Sequence, residues 1–325
     1  MKETARDPRI KALAEEVAAG KAAELIADMM ETALKFGRDH AAIAELKLTS
    51  RALREMRYAS RVFSKYQGIR KVAVFGSART KPDEPEYQLA KLFARKIVAK
   101  DYMLITGGGD GIMGAAQEGA GAEKSFGLNI LLPFEQRANE TIHGDPKLIN
   151  FNYFFTRKLN FAKETNAFVL LPGGFGTHDE GCEILTLIQT GKMPIVPVIM
   201  LDRQNGHYWE TWRRFIVNDL LAHGLVSPTD FHLFHITHDA DDAVNVITQF
   251  YKNFQSYRWV REKMVIRIQH KLSPDALESL NASFIHLLAA DRIIQTTPLP
   301  EERDEHLVAQ LPRIVLTPYK TDFGS

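Results

Sequence analysis

The stretch YMLITGGGDGIMGAAQEGAGAE (102–123) decides the fold. It opens with a short apolar run, passes through a knot of glycines, and continues in a pattern of small, helix-favouring residues. A run that is apolar at every position, rather than at alternate ones, fits a strand buried on both faces of a parallel sheet. Working outward, the same unit recurs. Apolar runs stand at KVAVFG (71–76), FGLNILLP (126–133), AFVLLPG (167–173), PIVPVIML (194–201) and, shorter, FHLFHIT (231–237). Between them lie helical patterns such as PEYQLAKLFARKIVAK, THDEGCEILTLIQTGK and YWETWRRFIVNDLLA. The alternation predicts an α/β fold over residues 69–255, a doubly wound parallel sheet with helices on both faces. Open sheets of this kind bind ligands beyond the carboxyl ends of their strands, where the glycines of this chain cluster.

The flanks read differently. Residues 1–68 are rich in Ala, Leu, Glu, Lys and Met, with Leu25, Ile26, Met29, Met30 and Leu34 at helical spacing. They predict an N-terminal helical extension of two or three helices, packed on the main body or on a partner chain. Residues 256–325 predict a small C-terminal α/β appendage: a strand MVIRIQ (264–269), a helix SPDALESLNASFIHLLAA (273–290) and a strand RIVLTP (313–318).

Composition narrows the function classes. The 325 residues are 45% hydrophobic and 25% charged, enough to build a sizeable core and to exclude disorder over most of the length. Lys plus Arg number 41 and Asp plus Glu 40, so no global charge points to nucleic acid or a membrane surface. The single cysteine, Cys182, forms no intramolecular disulfide and no thiolate zinc cluster. The charged opening MKETARDPRIKALAEE lacks the apolar core of a signal peptide, and no window reaches the length of a membrane span. The expectation is a cytoplasmic protein.

Three strand ends carry the chemistry. The first turn is VFGSAR, with Gly76 and Ser77. The second holds Gly107, Gly108, Gly109, Gly111 and Gly114. The third is LLPGGFGTHDE, with Gly173, Gly174, Gly176 and Thr177. Glycines there let a backbone approach a ligand closely, and a following helix offers free N–H groups to an anion. The spacing Gly109-x-Gly111-x-x-Gly114 also fits a dinucleotide loop, but the acid such a loop requires is met only loosely by Glu135. An NAD(P)-linked enzyme therefore stands as one rival, and glycines serving helix–strand packing as another. No G-x-x-x-x-G-K-[ST] occurs, which argues against an ATP-hydrolysing loop. Thr177 and Glu180 read equally as a capping box or as a phosphate ligand followed by a carboxylate facing a bound sugar. His232 and His235 would point to opposite faces of a strand and so converge on no metal. His178 reads as an exposed residue of a first helical turn, and Cys182 as a buried, inert thiol.

Together, GSAR (76–79), GGGDGIMGAAQEGA (107–120), FFTRK (154–158) and PGGFGTHDE (172–180) resemble the LOG family, the cytokinin-activating phosphoribohydrolases often mislabelled lysine decarboxylases. The resemblance covers about residues 70–250 and leans toward the larger bacterial members. It implies a Rossmann-like fold. It implies hydrolysis of the N-glycosidic bond of a nucleoside 5′-monophosphate, AMP or an N6-modified AMP, to a free base and ribose 5-phosphate. It assigns catalysis to Arg157 and Glu180 and phosphate binding to Gly173, Gly174, Gly176 and Thr177, at the interface of a homodimer or higher oligomer. Gly76, Ser77, Gly108, Gly109, Gly111, Gly114 and Lys158 are expected at the nucleotide, and Phe154 and Glu183 at the base or ribose. No metal or other cofactor is required. Two departures, FFT before Arg157 and His178 where Leu is usual, bear on base specificity. A non-enzymatic nucleotide or molybdenum-cofactor carrier on the same fold is the alternative.

Overall fold

The computed structural model describes residues 7–132, 137–302 and 308–319. Glu135 lies outside them. The chain forms two compact units, Met1–Ser60 and Arg61–Ser325.

The larger unit is built on a seven-stranded sheet. Its strands are β1 (Lys71–Phe75), β2 (Met103–Thr106), β3 (Ser125–Ile130), β4 (Leu148–Phe151), β5 (Ala167–Leu170), β6 (Val198–Leu201) and β7 (His235–Thr237). The order is β4-β3-β2-β1-β5-β6-β7, and every pairing is parallel. The chain winds outward from β1 to β4, then returns to place β5 on the other side of β1. That reversal leaves a crevice at the carboxyl ends of β1, β2 and β5, the three strands that lead into glycine turns. The sheet matches the alternation in the sequence, with β4 as an addition. LINF (148–151) sits at the sheet edge with Asn150 exposed, so it lacks the continuous apolar run that marks the inner strands.

Helices α4 (Pro85–Val98), α5 (Ile112–Ala120) and α9 (Ala240–Phe250) pack one face. Phe93, Ile97, Ala115, Ala243 and Ile247 meet Val72, Val74, Leu104 and Ile199 in a continuous buried core. Helices α6 (Phe154–Glu164) and α7 (Phe175–Gln189) lie on the other face. Phe161 of α6 sits 4.7 Å from Phe75, centroid to centroid, and Gly181 lets α7 close onto Leu170. The stretch 208–222 divides: α8 (Tyr208–Phe215) loosens into a π-helical turn over Ile216–Leu221.

The C-terminal segment carries a four-stranded antiparallel sheet in the order β10-β11-β9-β8, from β8 (Phe254–Val260), β9 (Lys263–Ile268), β10 (Leu288–Thr296) and β11 (Arg313–Pro318). The two expected strands are present as β9 and β11. The expected helix is α10 (Pro274–Phe284), which ends six residues before Ala290, because Leu288–Thr296 instead pairs with β11. One face buries Ile268, Leu288, Ile293 and Ile314 against Leu277 and Leu280 of α10. Near the other, Glu302 lies fully buried between Arg267 (2.8 Å) and Arg313 (3.1 Å).

The smaller unit contains α1 (Pro8–Glu15), α2 (Gly20–Arg38) and most of α3 (Ile43–Phe63). Asp7 caps α1 by accepting from Arg9 N at 2.9 Å. Ile10 and Ala14 bury against Ala23 and Ala27, with Ile26 and Met30 packed beside them. Leu25, Met29 and Leu34 of the same apolar stripe are exposed. Among the described residues no helix is long and apolar enough to cross a membrane.

Candidate active site at the glycine loops

The three glycine turns meet at Ser77. Its backbone N–H donates to Pro172 O at 3.0 Å, and its carbonyl accepts from Ile112 N at 2.9 Å. One residue thus ties the turn after β1 to the turn after β5 and to the start of α5. Gly111 makes that approach possible. Its φ is +63°, and a Cβ there would come within 2.6 Å of the Ala78 carbonyl carbon. Gly76 packs on the Ile112 side chain in the same way, and a Cβ on Gly173 would lie 2.9 Å from Ser77 N. Gly76, Ser77, Gly111, Gly173 and Thr177 therefore converge.

Helix α7 starts at Phe175, with Gly174 in the cap position. Thr177 is buried inside the first turn, donating its N–H to Gly174 O at 3.0 Å. The capping-box reading of Thr177 and Glu180 is thereby corrected, since the helix has already begun and its cap carries no side-chain bond. Nothing lies within 4 Å of a Cβ placed on Gly174 or Gly176. Phe175 between them is 96% exposed, so the tip of this turn faces open space at the positive end of a helix.

The second turn is anchored from below. Gly108 N donates to Thr106 Oγ1 at 2.9 Å. The buried Asn139 amide donates to Gly109 O (2.8 Å), Gly108 O (3.1 Å) and Gln117 Oε1 (2.6 Å). Gly108 packs on Gly127 and Asn129, and Gly114 on Asn139. Gly108, Gly109 and Gly114 are buried and shape the turn itself.

Charged side chains from α6 and α7 gather beside these turns. Arg157 is buried. Its Nε donates to Leu128 O at 2.7 Å, its guanidinium lies over the Phe161 ring, and Nη1 stands 3.5 Å from Glu180 Oε1. A Cβ on Gly107 would come within 2.7 Å of Arg157 Nη2, which places this arginine directly on the second turn. Lys158 Nζ contacts Glu183 at 2.6 Å, Asp179 at 2.8 Å and Glu180 at 3.8 Å. Burial opposes the Lys158 charge, but its bonds to Asp179 and Glu183 outweigh that and hold the ammonium above the ordinary lysine value. Burial pushes the Glu180 carboxyl up, against the pull of Arg157 and Lys158. Burial likewise lowers Arg157, offset in part by Glu180 and Asp179. At 3.5 and 3.8 Å neither cation makes a short hydrogen bond to Glu180. An open hollow of about 710 Å³ adjoins the cluster, lined by Lys158, Phe175, His178, Asp179, Cys182, Glu183, Thr186 and Leu187. Phe154 is half exposed at the start of α6 and does not line it.

Three residues stand elsewhere than expected. Cys182 is exposed on α7 rather than buried, because its position faces outward while Ile184 and Ile188 carry the buried stripe. Partial desolvation and the Asp179 charge still push its thiol up. His178 is half-buried rather than exposed, its Nε2 2.6 Å from Tyr208 Oη. His232 belongs to a 3₁₀ turn (Pro228–Leu233) rather than to a strand, while His235 pairs with Asp242 at 2.8 Å. Sequence reasoning did not find Asn139, Asp202 or Tyr208. Asn139 reaches partners 22 to 31 residues away, and Tyr208 reaches Gly173 35 residues away, so no local pattern marks them.

The family model described as "Possible lysine decarboxylase" matches residues 113–247. A probable cytokinin riboside 5′-monophosphate phosphoribohydrolase of Oryza sativa subsp. japonica is 33% identical over 187 residues, 56% of this chain and 77% of the relative. A cytokinin riboside 5′-monophosphate phosphoribohydrolase of Mycobacterium marinum is 29% identical over 175 residues, 53% of this chain and 90% of the relative. Among solved structures, the molybdenum cofactor carrier protein of Chlamydomonas reinhardtii aligns at 22% identity and a TM-score of 0.39, over 56% of this chain and 97% of that one. On its motifs and on these relatives, the chain belongs to the LOG family.

Proposed function

We propose that this protein hydrolyses the N-glycosidic bond of a nucleoside 5′-monophosphate, AMP or an N6-modified AMP, releasing the free base and ribose 5-phosphate. The observation that carries the reading is a buried carboxylate, Glu180, held between Arg157 and Lys158 beside an open anion-binding turn. The 5′-phosphate sits on the Gly173–Thr177 turn, at the start of α7. Glu180 follows Thr177 by three residues, about 4.5 Å along the helix axis, which sets the carboxylate near a ribose whose phosphate is held at the turn.

The chemistry follows from charge. As the C1′–N bond breaks, the electron pair leaves with the base and positive charge develops on the ribose ring. An ionised Glu180 stabilises that charge from a site with little water and orients the water that adds to C1′. The proton released by that water balances the one taken up by the departing base. Arg157 keeps Glu180 ionised and directs it toward the second turn. Lys158 neutralises Asp179 and Glu183, which would otherwise oppose ionisation of Glu180. Holding the phosphate away from the reacting bond turns binding energy into orientation. Nothing in these steps calls for a metal or redox cofactor.

We assign catalysis to residues 69–255 and place the site at a homodimer contact. Phe155 and Leu159 project from α6 half exposed, and Phe175 projects fully, giving the rim of the site an apolar surface suited to a second copy. Incubation with AMP, N6-isopentenyl-AMP, GMP and adenosine, followed by chromatography, tests the substrate class. Base release from a monophosphate and none from adenosine supports the reading. Intact monophosphates after binding would move the protein to the carrier function.

A further inference from the structure

Tyr208 is the first residue of α8, outside every motif of the family resemblance. Its backbone N–H donates to Asp202 Oδ2 at 2.8 Å, while Asp202 Oδ1 accepts from Arg203 N at 2.8 Å. Asp202 is buried just beyond β6, and its own N–H donates to Thr237 O at 2.9 Å in the neighbouring strand. The start of α8 is therefore fixed to the sheet. From that base the Tyr208 hydroxyl donates to Gly173 O at 2.5 Å and lies 2.6 Å from His178 Nε2. A phenol has one proton. With that proton on Gly173 O, His178 must donate from Nε2, which fixes its tautomer. Burial lowers His178, and the ring also meets the buried Trp209 edge-on at 5.8 Å.

The two contacts bracket the anion-binding turn. Gly173 enters it and His178 leaves it. Between them, Gly174 and Gly176 have no neighbour within 4 Å of a Cβ position, and Phe175 is exposed. The tip of the turn has little packing of its own to hold it, and glycine-rich backbone is costly to order. We infer that Tyr208, with His178, is a positioning residue that pre-orders the Gly173–His178 turn for a phosphate monoester. The inference rests on the proposed function for where the phosphate sits, but it concerns binding and is measurable without turnover.

The test uses the full chain and Tyr208→Phe, which removes one hydroxyl. Inorganic phosphate and ribose 5-phosphate are titrated calorimetrically, and kcat/KM is measured for AMP and for adenosine. A roughly tenfold weaker Kd for both phosphate probes, about 1.4 kcal/mol, is expected. kcat/KM for AMP falls in parallel, any adenosine activity does not change, and the melting temperature holds. Phosphate affinities within twofold of wild type overturn the inference. So does an equal loss on adenosine, or a loss that tracks a fall in melting temperature, since either assigns Tyr208 to folding alone. Wild-type protein that takes up neither probe overturns it as well. If the wild type binds both probes but releases no base from AMP, the hydrolase reading fails while the titrations still decide the role of Tyr208.

Discussion

Gly111→Ala separates backbone geometry from side-chain chemistry, because glycine carries no chemical group to lose. At φ +63° and ψ −131° this residue lies in a region open almost only to glycine, at a cost of about 1–3 kcal/mol for any other residue. An added Cβ would also stand 2.6 Å from the Ala78 carbonyl carbon and 2.8 Å from Ala78 Cα. These are backbone atoms, so relief means moving the turn after β1. Forcing a methyl into packed surroundings costs about 1–3 kcal/mol more. The two together come to roughly 2–6 kcal/mol. For a unit of this size about 2–4 °C is lost per kcal/mol, so a fall in melting temperature of at least ~4 °C is expected by scanning calorimetry. Because Ser77 joins all three turns, phosphate affinity falls with it. A variant melting within 1 °C of wild type with unchanged phosphate binding would refute the claim that close backbone approach at Gly111 assembles the site.

Other predictions follow the same geometry. Asn139→Ala takes the amide donor from Gly109 O and Gln117 Oε1, while Gly108 O keeps the backbone N–H of residue 139, a loss of about 1–3 kcal/mol that urea unfolding would read. Glu180 must be ionised to act and burial holds its carboxyl up, so base release falls on acidification through a value above that of an ordinary glutamate. Lys158→Met removes an opposing cation and shifts that limb of the pH–rate profile upward; an unmoved limb contradicts the assignment. Glu302→Ala removes the carboxylate that faces the fully buried Arg313 in the C-terminal sheet, a cost of about 3–5 kcal/mol in melting or urea experiments. Burial alone would raise Glu302, but bonds from Leu299 N, Arg267 and Arg313 bring it below the ordinary glutamate value. Its stabilisation is therefore complete above the unfolded glutamate pKa and lost as pH falls through the lower, folded one, which melting curves at pH 6 and at pH 3 would show. Cys182, being exposed, reacts with a maleimide in the native protein, faster as pH rises, and a thiol that labels only after unfolding contradicts its placement.

The inner strands were legible because burial on both faces writes itself as uninterrupted apolar residues, as in Val72–Phe75 and Ala167–Leu170. Edge and antiparallel strands leave a weaker mark. Phe254–Val260 mixes Gln, Ser and Arg with aromatics, because nearly all its positions are only half-buried. Leu288–Ala290 has the composition of a helix end, yet pairing with β11 decides its conformation, with register shifts that no local pattern encodes. In the candidate site, the motifs singled out Arg157, Glu180 and the glycine turns, which the structure brings together. What holds those turns in place comes from residues distant in sequence: Asn139 beneath the second turn and Tyr208 beside the third. The outward turn of Cys182 was readable in retrospect, since Ile184 and Ile188 set the buried side of α7 and position 182 falls off it.

The proposed function stands on Glu180 acting on a bound nucleoside monophosphate. The most direct test compares wild type with Glu180→Gln, which keeps the shape and removes the charge. AMP is supplied at saturating concentration, free adenine and ribose 5-phosphate are quantified by chromatography, and AMP binding is measured in parallel. Wild type is expected to release equimolar adenine and ribose 5-phosphate, and the variant to lose at least ~100-fold at preserved AMP affinity. Release at the wild-type rate from Glu180→Gln would contradict the proposed function.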